Sequence, residues 1–112
     1  MAARIPLVTG EVALVDDEDL HLVADLRWSR AGLRGRTLYA VHNKWQKGIM
    51  VRHVLMHRLI MQPPPHLVVD HLNGDGLDNR RCNLRICTHA ENAQNRWYHR
   101  ERCPAPKQRA AA

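Results

Sequence analysis

The sequence predicts an α+β protein: a small N-terminal antiparallel β-sheet with a short helix, followed by a strand–loop–strand–helix unit. In the first half of the chain, short runs of β-favouring residues alternate with turn residues. A triple proline, Pro63-Pro64-Pro65, then separates the two parts. Near residue 88, a Thr-x-x-Glu pattern marks the start of a helix, because its two side chains can cap the first backbone N–H groups.

The N-terminal part begins with a predicted hairpin. Arg4 to Val8 and Glu11 to Val15 are apolar, β-favouring runs joined across Thr9-Gly10. The acidic run 16–19 then predicts a helix start, because acids are favoured at the positive end of the helix dipole. Apolar residues within 20–26 give this helix a buried face. The acidic run could instead bind a metal, but a capping cluster is the favoured interpretation.

The middle of the chain predicts a loop, two strands and a helical turn. The stretch Arg30 to Arg36 is rich in Gly and Arg and is typical of a surface loop. Thr37 to His42 and Ile49 to Leu55 alternate as strands, with Lys47-Gly48 as the turn before the second. Residues 57–61 form a helical turn that ends at the triple proline, which acts as a stiff connector.

The second part predicts two strands around a long loop, and then a helix. Leu67 to Asp70 is a short buried strand, and Asn73-Gly74-Asp75-Gly76 requires the chain to turn. Leu84 to Cys87 is the returning strand, and the helix is expected from His89 to about Arg100. We therefore predict a β-rich subdomain at 1–62, the strand–loop–strand–helix unit at 63–102 and a flexible tail at 103–112.

Composition and charge favour a small globular protein that binds a polyanion. The chain has 112 residues, 45% of them apolar, and a net charge of +6. Residues 27–58 hold eight Lys or Arg and no acid, and residues 80–112 hold eight against two acids. The short stretch between them contains only acidic charges. Two basic blocks around an acidic one suggest a nucleic-acid surface beside a metal pocket, although a solvated basic surface has the same composition.

The cysteines and the chain start point to a cytoplasmic protein. The three cysteines, Cys82, Cys87 and Cys103, contain no CxxC pair, so their spacing predicts neither a disulfide framework nor a zinc cage. Such usage suits a reducing cytosol. The N-terminus has no apolar signal region, and no stretch approaches eighteen apolar residues, so neither export nor a membrane span is expected.

The residues Asp70, His71, Asn83 and Asn92 can carry phosphodiester chemistry. Hydrolysis needs an activated water, and a histidine with an ordinary pKa of about 6.5 can take its proton near neutral pH. A hard divalent cation with oxygen ligands can stabilise the leaving group. Asp70 offers a carboxylate and Asn92 an amide oxygen. So few protein ligands favour Mg²⁺, which keeps several waters.

The text VDHLNGDGLDNRRCNLRICTHAENAQNR resembles the HNH family of homing-type and phage endonucleases. The resemblance implies a ββα-metal fold in which His71 is the general base and Asp70 and Asn92 bind one metal ion. It places Asn83 in the catalytic set, chiefly as a brace of the loop that helps to orient the base. Upstream text resembles the N-terminal sheet of the same group, so the resemblance covers roughly residues 4–100.

The resemblance implies a Mg²⁺- or Mn²⁺-dependent DNA endonuclease, with no structural zinc, in a bacterial or phage-infected cell. The alternative is a catalytically weak or inactive DNA-binding subunit of a larger phage or DNA-processing complex. Double-stranded DNA is the expected partner, and a homodimer or a phage-protein partner is left open. A calcium site in the loop is rejected, because His71 and Cys82 would stand where a calcium loop needs acids.

Further residues are expected to support the site. His57 is assigned to buttress the active-site loop behind the catalytic residues, in preference to a ligand role. Trp45 could stack on a base or sugar, and packing on the sheet is an equal alternative. Basic side chains are expected to contact backbone phosphates, namely Lys44, Lys47, Arg52, Arg80, Arg81, Arg85, Arg96 and Arg100.

Overall fold

The computed structural model describes residues 2–32 and 37–94. Its strands and helices are β1 (Ala2–Pro6), β2 (Val12–Asp16), α1 (Leu20–Val23), β3 (Ser29–Ala31), β4 (Tyr39–Gln46), β5 (Ile49–Leu55), α2 (Met56–Met61), β6 (Val68–His71), β7 (Asp78–Asn79), β8 (Leu84–Cys87) and α3 (His89–Gln94). Single 3-10 turns at Asp17–Asp19 and Arg81–Asn83 precede α1 and β8. The predicted α+β class is confirmed.

The N-terminal hairpin forms as the alternating sequence predicts. β1 and β2 pair antiparallel, with Ile5 opposite Ala13 and Arg4 opposite Leu14. Ile5, Ala13 and Val15 are buried, whereas Arg4 is exposed, so one face of the hairpin covers the core. The acidic run after β2 forms the 3-10 turn that leads into α1, in agreement with the predicted helix start.

The strands form three small sheets, where the sequence predicted one N-terminal sheet. Their orders are β1-β2-β7, β3-β4-β5 and β6-β8. β7 lies in the loop of the second part and pairs parallel with β2, through Leu14 with Asp78 and Val15 with Asn79. β3 begins at Ser29, in a region predicted as loop, while residues 33–36 of that loop lie outside the described ranges. The β2–β7 pairing joins segments more than sixty residues apart, which local patterns do not reveal.

One hydrophobic core serves both parts of the chain. The first part contributes Val15, Trp28 and Met56, and the second contributes Val69 and Leu84. Trp28 is 1% exposed, and its indole N–H donates to the backbone oxygen of Val23 at 2.9 Å. A buried indole needs such a partner, because its N–H would otherwise lose hydrogen bonding to water. The boundary at 62/63 remains a prediction, and the two predicted segments share this core.

The strand–loop–strand–helix unit is present as predicted. β6 and β8 pair antiparallel, with Asp70 opposite Arg85, and α3 contacts β6. Thr88 and Glu91 form the predicted capping box: each backbone N–H donates to the other's side chain, at 2.9 Å from Thr88 and 3.1 Å from Glu91. The predicted continuation of α3 to Arg100 falls outside the described residues, as does the tail. No helix in the described ranges is long and apolar enough to cross a membrane.

Gly76 allows the long loop to pack against the start of β4. A Cβ added at Gly76 would collide with the backbone oxygen of Leu38 and would lie 2.8 Å from Cδ1 of Tyr39. We expect Gly76→Ala to lower the free energy of unfolding by about 1–3 kcal/mol, because the close backbone contact must open. Urea denaturation of the variant and the parent measures this difference.

Gly48→Ala is the matched control for this prediction. A Cβ at Gly48 meets no atom within 4 Å, and its φ of +78° leaves only backbone strain, about 1 kcal/mol. A Gly76→Ala variant as stable as the parent would contradict the proposed packing of the loop.

Candidate active site

Asp70 and His71 occupy the end of β6, where the long loop begins. The alternation of the strand turns Val69 and His71 to one side and Val68 and Asp70 to the other. His71 is buried, at 5% exposure, and the Asp70 side chain is mostly buried, at 12%. The strand thus places the Asp70 carboxylate and the His71 imidazole at successive positions, on opposite faces and in different environments.

The imidazole of His71 is held by Asn79. Nε2 of His71 lies 2.7 Å from the amide oxygen Oδ1 of Asn79, which is fully buried on β7. Burial lowers the pKa of His71 below its ordinary value, whereas the Asn79 hydrogen bond and the carboxylates of Asp70, Asp75 and Asp78 act in the opposite direction. The lowered pKa favours a neutral ring near pH 7, and a neutral ring is able to accept a proton.

Two further rings, those of Tyr39 and His57 in the first half of the chain, lie close to the His71 ring. The ring centroids of His57 and His71 are 4.8 Å apart in an edge-on arrangement, and Tyr39 lies 5.4 Å from His57 and 5.6 Å from His71. His57 is buried, and its Nδ1 has no hydrogen-bond partner within the described residues. This position behind His71 fits the buttressing role expected for His57.

Asn83 is built into the loop through its whole side chain. Its Oδ1 accepts from the backbone N–H of Asn73 at 3.0 Å, and its Nδ2 donates to Oδ1 of Asn73 and to the backbone oxygen of Asp78, each at 2.9 Å. Asn83 is 1% exposed. Because these bonds span the loop from 73 to 83, the side chain braces the loop, and its place in the catalytic set remains a prediction.

Asp70 faces Arg85 across the β6–β8 pair. Nη2 of Arg85 lies 3.9 Å from Oδ2 of Asp70 and 3.5 Å from the backbone oxygen of Glu91, to which it donates. Nε of Arg85 is buried with no hydrogen-bond partner in the described part of the chain. The side chain as a whole is 35% exposed, so part of it lies at the surface next to Asp70.

Asn92 lies on α3, which contacts β6, and its backbone N–H donates to the oxygen of Thr88 at 2.9 Å. Its exposed side chain and the Asp70 carboxylate offer two oxygen ligands, a donor set that suits a hard cation retaining water. Among the described residues, no group of three or more His, Cys, Asp or Glu side chains could hold a metal ion. The chemistry of these two residues thus fits Mg²⁺ or Mn²⁺.

The arginines of the loop are not equivalent. Arg80 was expected to contact DNA, but it is buried and its Nε and Nη2 donate to both carboxylate oxygens of Asp78, at 2.8 and 2.7 Å. The expected DNA contact of Arg80 does not fit this position, because a buried guanidinium that is bonded to Asp78 cannot reach a phosphate. Arg81 binds both carboxylate oxygens of Asp19, at 2.8 and 2.9 Å, although its side chain is half exposed. Arg96 and Arg100 lie outside the described residues.

The β4–β5 hairpin projects its far half into solvent. Every residue from 44 to 53 is exposed, and Trp45 and Ile49 are 60% and 67% exposed. Lys44 and Arg52 are directly opposite each other, an unfavourable arrangement for like charges. No carboxylate in the described ranges pairs with Lys44, Lys47 or Arg52. The hairpin therefore offers uncompensated positive charge beside an exposed aromatic ring.

The cysteines show one difference from the sequence expectation. Cys87 is a buried free thiol whose pKa is raised by burial, as befits a small core residue. Cys82, however, is disulfide-bonded, whereas the spacing predicted no disulfide framework. Cys103 lies outside the described ranges.

Sequence reasoning missed two residues that touch His71. These are Asn79 and Tyr39, to which the sequence analysis assigns no role. Neither has a distinctive local signal: Asn79 lies eight residues after His71 in a loop, and Tyr39 lies thirty-two residues before it. The pairing of β7 with β2 and the packing of β4 against α2 bring them to the imidazole.

Comparison with known proteins finds a family similarity that runs from β4 to α3. Residues 44–94 match the family described as HNH endonuclease. The matched range contains Asp70, His71, Asn83 and Asn92, together with His57. Neither the curated proteins nor the solved structures provide a match to the chain.

We expect the stability of the protein to depend on the protonation of His57. Burial, with His71 and Arg58 nearby, lowers the pKa of His57 from 6.5 to about 3. The unfolded chain therefore binds this proton first as the pH falls, and folding stability declines below pH 6.5. Between about pH 7 and 5 the parent should lose about 2 kcal/mol more than His57→Phe, measured by chemical denaturation.

His57→Gln provides a second variant without the titrating ring, and the exposed His66→Gln provides the control, which should follow the parent. Equal losses in the parent and both His57 variants would show that His57 does not titrate as its burial requires.

Proposed function

We propose that this protein is a metal-dependent DNA endonuclease that uses His71 as its general base, and the match of residues 44–94 to the HNH endonuclease family supports this. The observation that carries the proposal is the arrangement at the end of β6. The buried imidazole of His71 is hydrogen-bonded at Nε2 to Asn79, and Asp70 is the preceding residue of the same strand. Other proteins bury histidines for structural reasons, but here the preceding residue of the strand, Asp70, offers a carboxylate that we assign to the cation.

In the proposed reaction His71 accepts the proton of the attacking water. Its lowered pKa keeps the ring neutral near pH 7, as a general base must be. Asn79 occupies Nε2, so Nδ1 is the nitrogen that takes the proton. The braced loop limits how far the ring can move, because Asn83 and Asn73 tie both ends of the loop together. A fixed ring lowers the entropy lost when the reacting groups align.

Asp70 and Asn92 would hold one divalent cation, Mg²⁺ or Mn²⁺. When bound, such an ion supplies electrostatic stabilisation of the departing 3′ oxygen. Arg85 lies 3.9 Å from Asp70 and its side chain is 35% exposed, so we assign it to a phosphate held next to the carboxylate. The products would carry 5′-phosphate and 3′-hydroxyl ends.

The β4–β5 hairpin is the proposed DNA contact outside the site. Its uncompensated cations, Lys44, Lys47 and Arg52, are suited to neutralise backbone phosphates. Trp45 is exposed between two of them, so stacking on a base or sugar is favoured over packing on the sheet. Arg81 is a weaker candidate, because Asp19 already balances its charge.

We expect the purified protein to nick or linearise supercoiled plasmid with Mg²⁺ or Mn²⁺ and to be inactive in EDTA. His71→Ala should lower the cleavage rate by about 10²–10⁴-fold, because the proton acceptor is lost. Asp70→Ala should lower it comparably, and excess Mn²⁺ should restore little, since the carboxylate ligand is absent. Gel assays of cut and uncut plasmid measure these rates.

His66→Ala is the control, because it removes an exposed histidine on the turn before β6. If His71→Ala cleaves at the parent rate, His71 is not the general base. A parent protein that binds DNA without cutting it under any of these metals would instead support the catalytically inactive DNA-binding subunit.

We expect the hairpin cations to control DNA affinity. Lys44→Gln, Lys47→Gln and Arg52→Gln should each weaken binding and lower the slope of log K against log salt by about 1, because one fewer counterion is released. Arg4→Gln makes the same change of charge on the exposed side of β1 and should leave the slope unchanged. Fluorescence anisotropy with a duplex between about 50 and 200 mM salt measures the slopes. Equal slopes for all four variants would argue against the hairpin as the contact.

A further inference from the structure

We propose that Asn79 is a positioning residue that fixes the tautomer and the orientation of His71, and this proposal rests on the proposed role of His71 as the base. Oδ1 of Asn79 lies 2.7 Å from Nε2 of His71. An amide oxygen can only accept a hydrogen bond, so Nε2 must carry the ring proton. The lone pair of the neutral ring is then on Nδ1, and one nitrogen is selected for proton transfer.

The fold holds Asn79 more firmly than a loop residue would be held. Asn79 is half of the two-residue strand β7, and its backbone pairs with Val15 of β2. Its neighbour Asp78 is locked by the buried ion pair with Arg80. The N-terminal hairpin thereby anchors the residue that contacts the base, although the hairpin lies more than sixty residues earlier in the chain.

The surroundings of Asn79 indicate that its side-chain oxygen, and not its amide nitrogen, makes the interaction that matters for His71. Asn79 is fully buried, and its Nδ2 has no hydrogen-bond partner in the described part of the chain. A buried donor without a partner is unfavourable, so a residue retained only for packing would be better replaced by an apolar one. Among the described residues, the hydrogen bond to His71 is the interaction of this side chain that requires a polar acceptor.

An amide also suits this site better than a carboxylate would. A carboxylate at Nε2 would select the same tautomer, but it would place a further buried negative charge in the loop that already holds Asp78. The amide orients the ring without adding charge. The rings of His57 and Tyr39 contact His71 at centroid distances of 4.8 and 5.6 Å and restrict its tilt, but ring contacts do not distinguish the two nitrogens.

The first test is the tautomer of His71 in the protein without metal or DNA. Two-dimensional ¹H–¹⁵N spectra of ¹⁵N-histidine-labelled protein, assigned with His71→Gln, report which ring nitrogen is protonated. We expect the Nε2–H form in the parent and in Asn79→Asp, which keeps an acceptor, and a mixture of both forms in Asn79→Leu. An unchanged Nε2–H form in Asn79→Leu would overturn the proposal.

The second test separates positioning from folding. Asn79→Leu should cleave plasmid at least about tenfold more slowly in single turnover, with DNA affinity within about twofold of the parent. Val23→Ala removes core packing in α1 without touching His71 and should cleave at the parent rate per folded molecule. Equal cleavage by Asn79→Leu and Val23→Ala would overturn the positioning role. A parent that does not cleave at all would overturn the proposed function, and the tautomer measurement would still decide the role of Asn79.

Discussion

A buried polar network holds the loop between His71 and Asn83, and the candidate site depends on it. Asn83 binds the loop at Asn73 and at the backbone of Asp78, while Asp78 binds Asn73 and Arg80. Buried groups of this kind are stable only when they are paired, so each bond restricts the others. The loop carries few apolar side chains, and its shape is therefore set by hydrogen-bond direction. Asn79 emerges from this loop at a defined distance from the imidazole.

The same loop is fixed from outside by two contacts with the first half of the chain. β7 adds to the N-terminal hairpin as a parallel strand, and Arg81 binds Asp19 at the end of the acidic run. The acidic run thus has two uses: its backbone starts α1, and one of its carboxylates holds the loop. The N-terminal part is for this reason a support of the site as well as a neighbour of it.

The positions of the arginines show that only part of the positive charge in the sequence is uncompensated. Arg80 and Arg81 lie in the basic block that the sequence associated with DNA, yet both are bound to carboxylates. The cations of the β4–β5 hairpin have no such partners in the described ranges, whereas Arg85 lies 3.9 Å from the Asp70 carboxylate. Net charge counts all of these side chains equally. Within the described ranges, the uncompensated positive charge is concentrated on the hairpin.

The sequence by itself determined the features that depend on near neighbours. The hairpin turn at Thr9-Gly10, the strands β5 and β8, the capping box at Thr88 and the order of strand, loop, strand and helix follow from residues a few positions apart. The match of residues 44–94 to the HNH endonuclease family agrees with the resemblance seen in the sequence, while the roles of Asp70, His71, Asn83 and Asn92 remain proposals. The tertiary structure decided which residues surround His71, how β2 meets β7, and which arginines are buried. These outcomes join segments up to about sixty residues apart, as in the bond from Arg81 to Asp19, and only the packing of whole faces selects such partners.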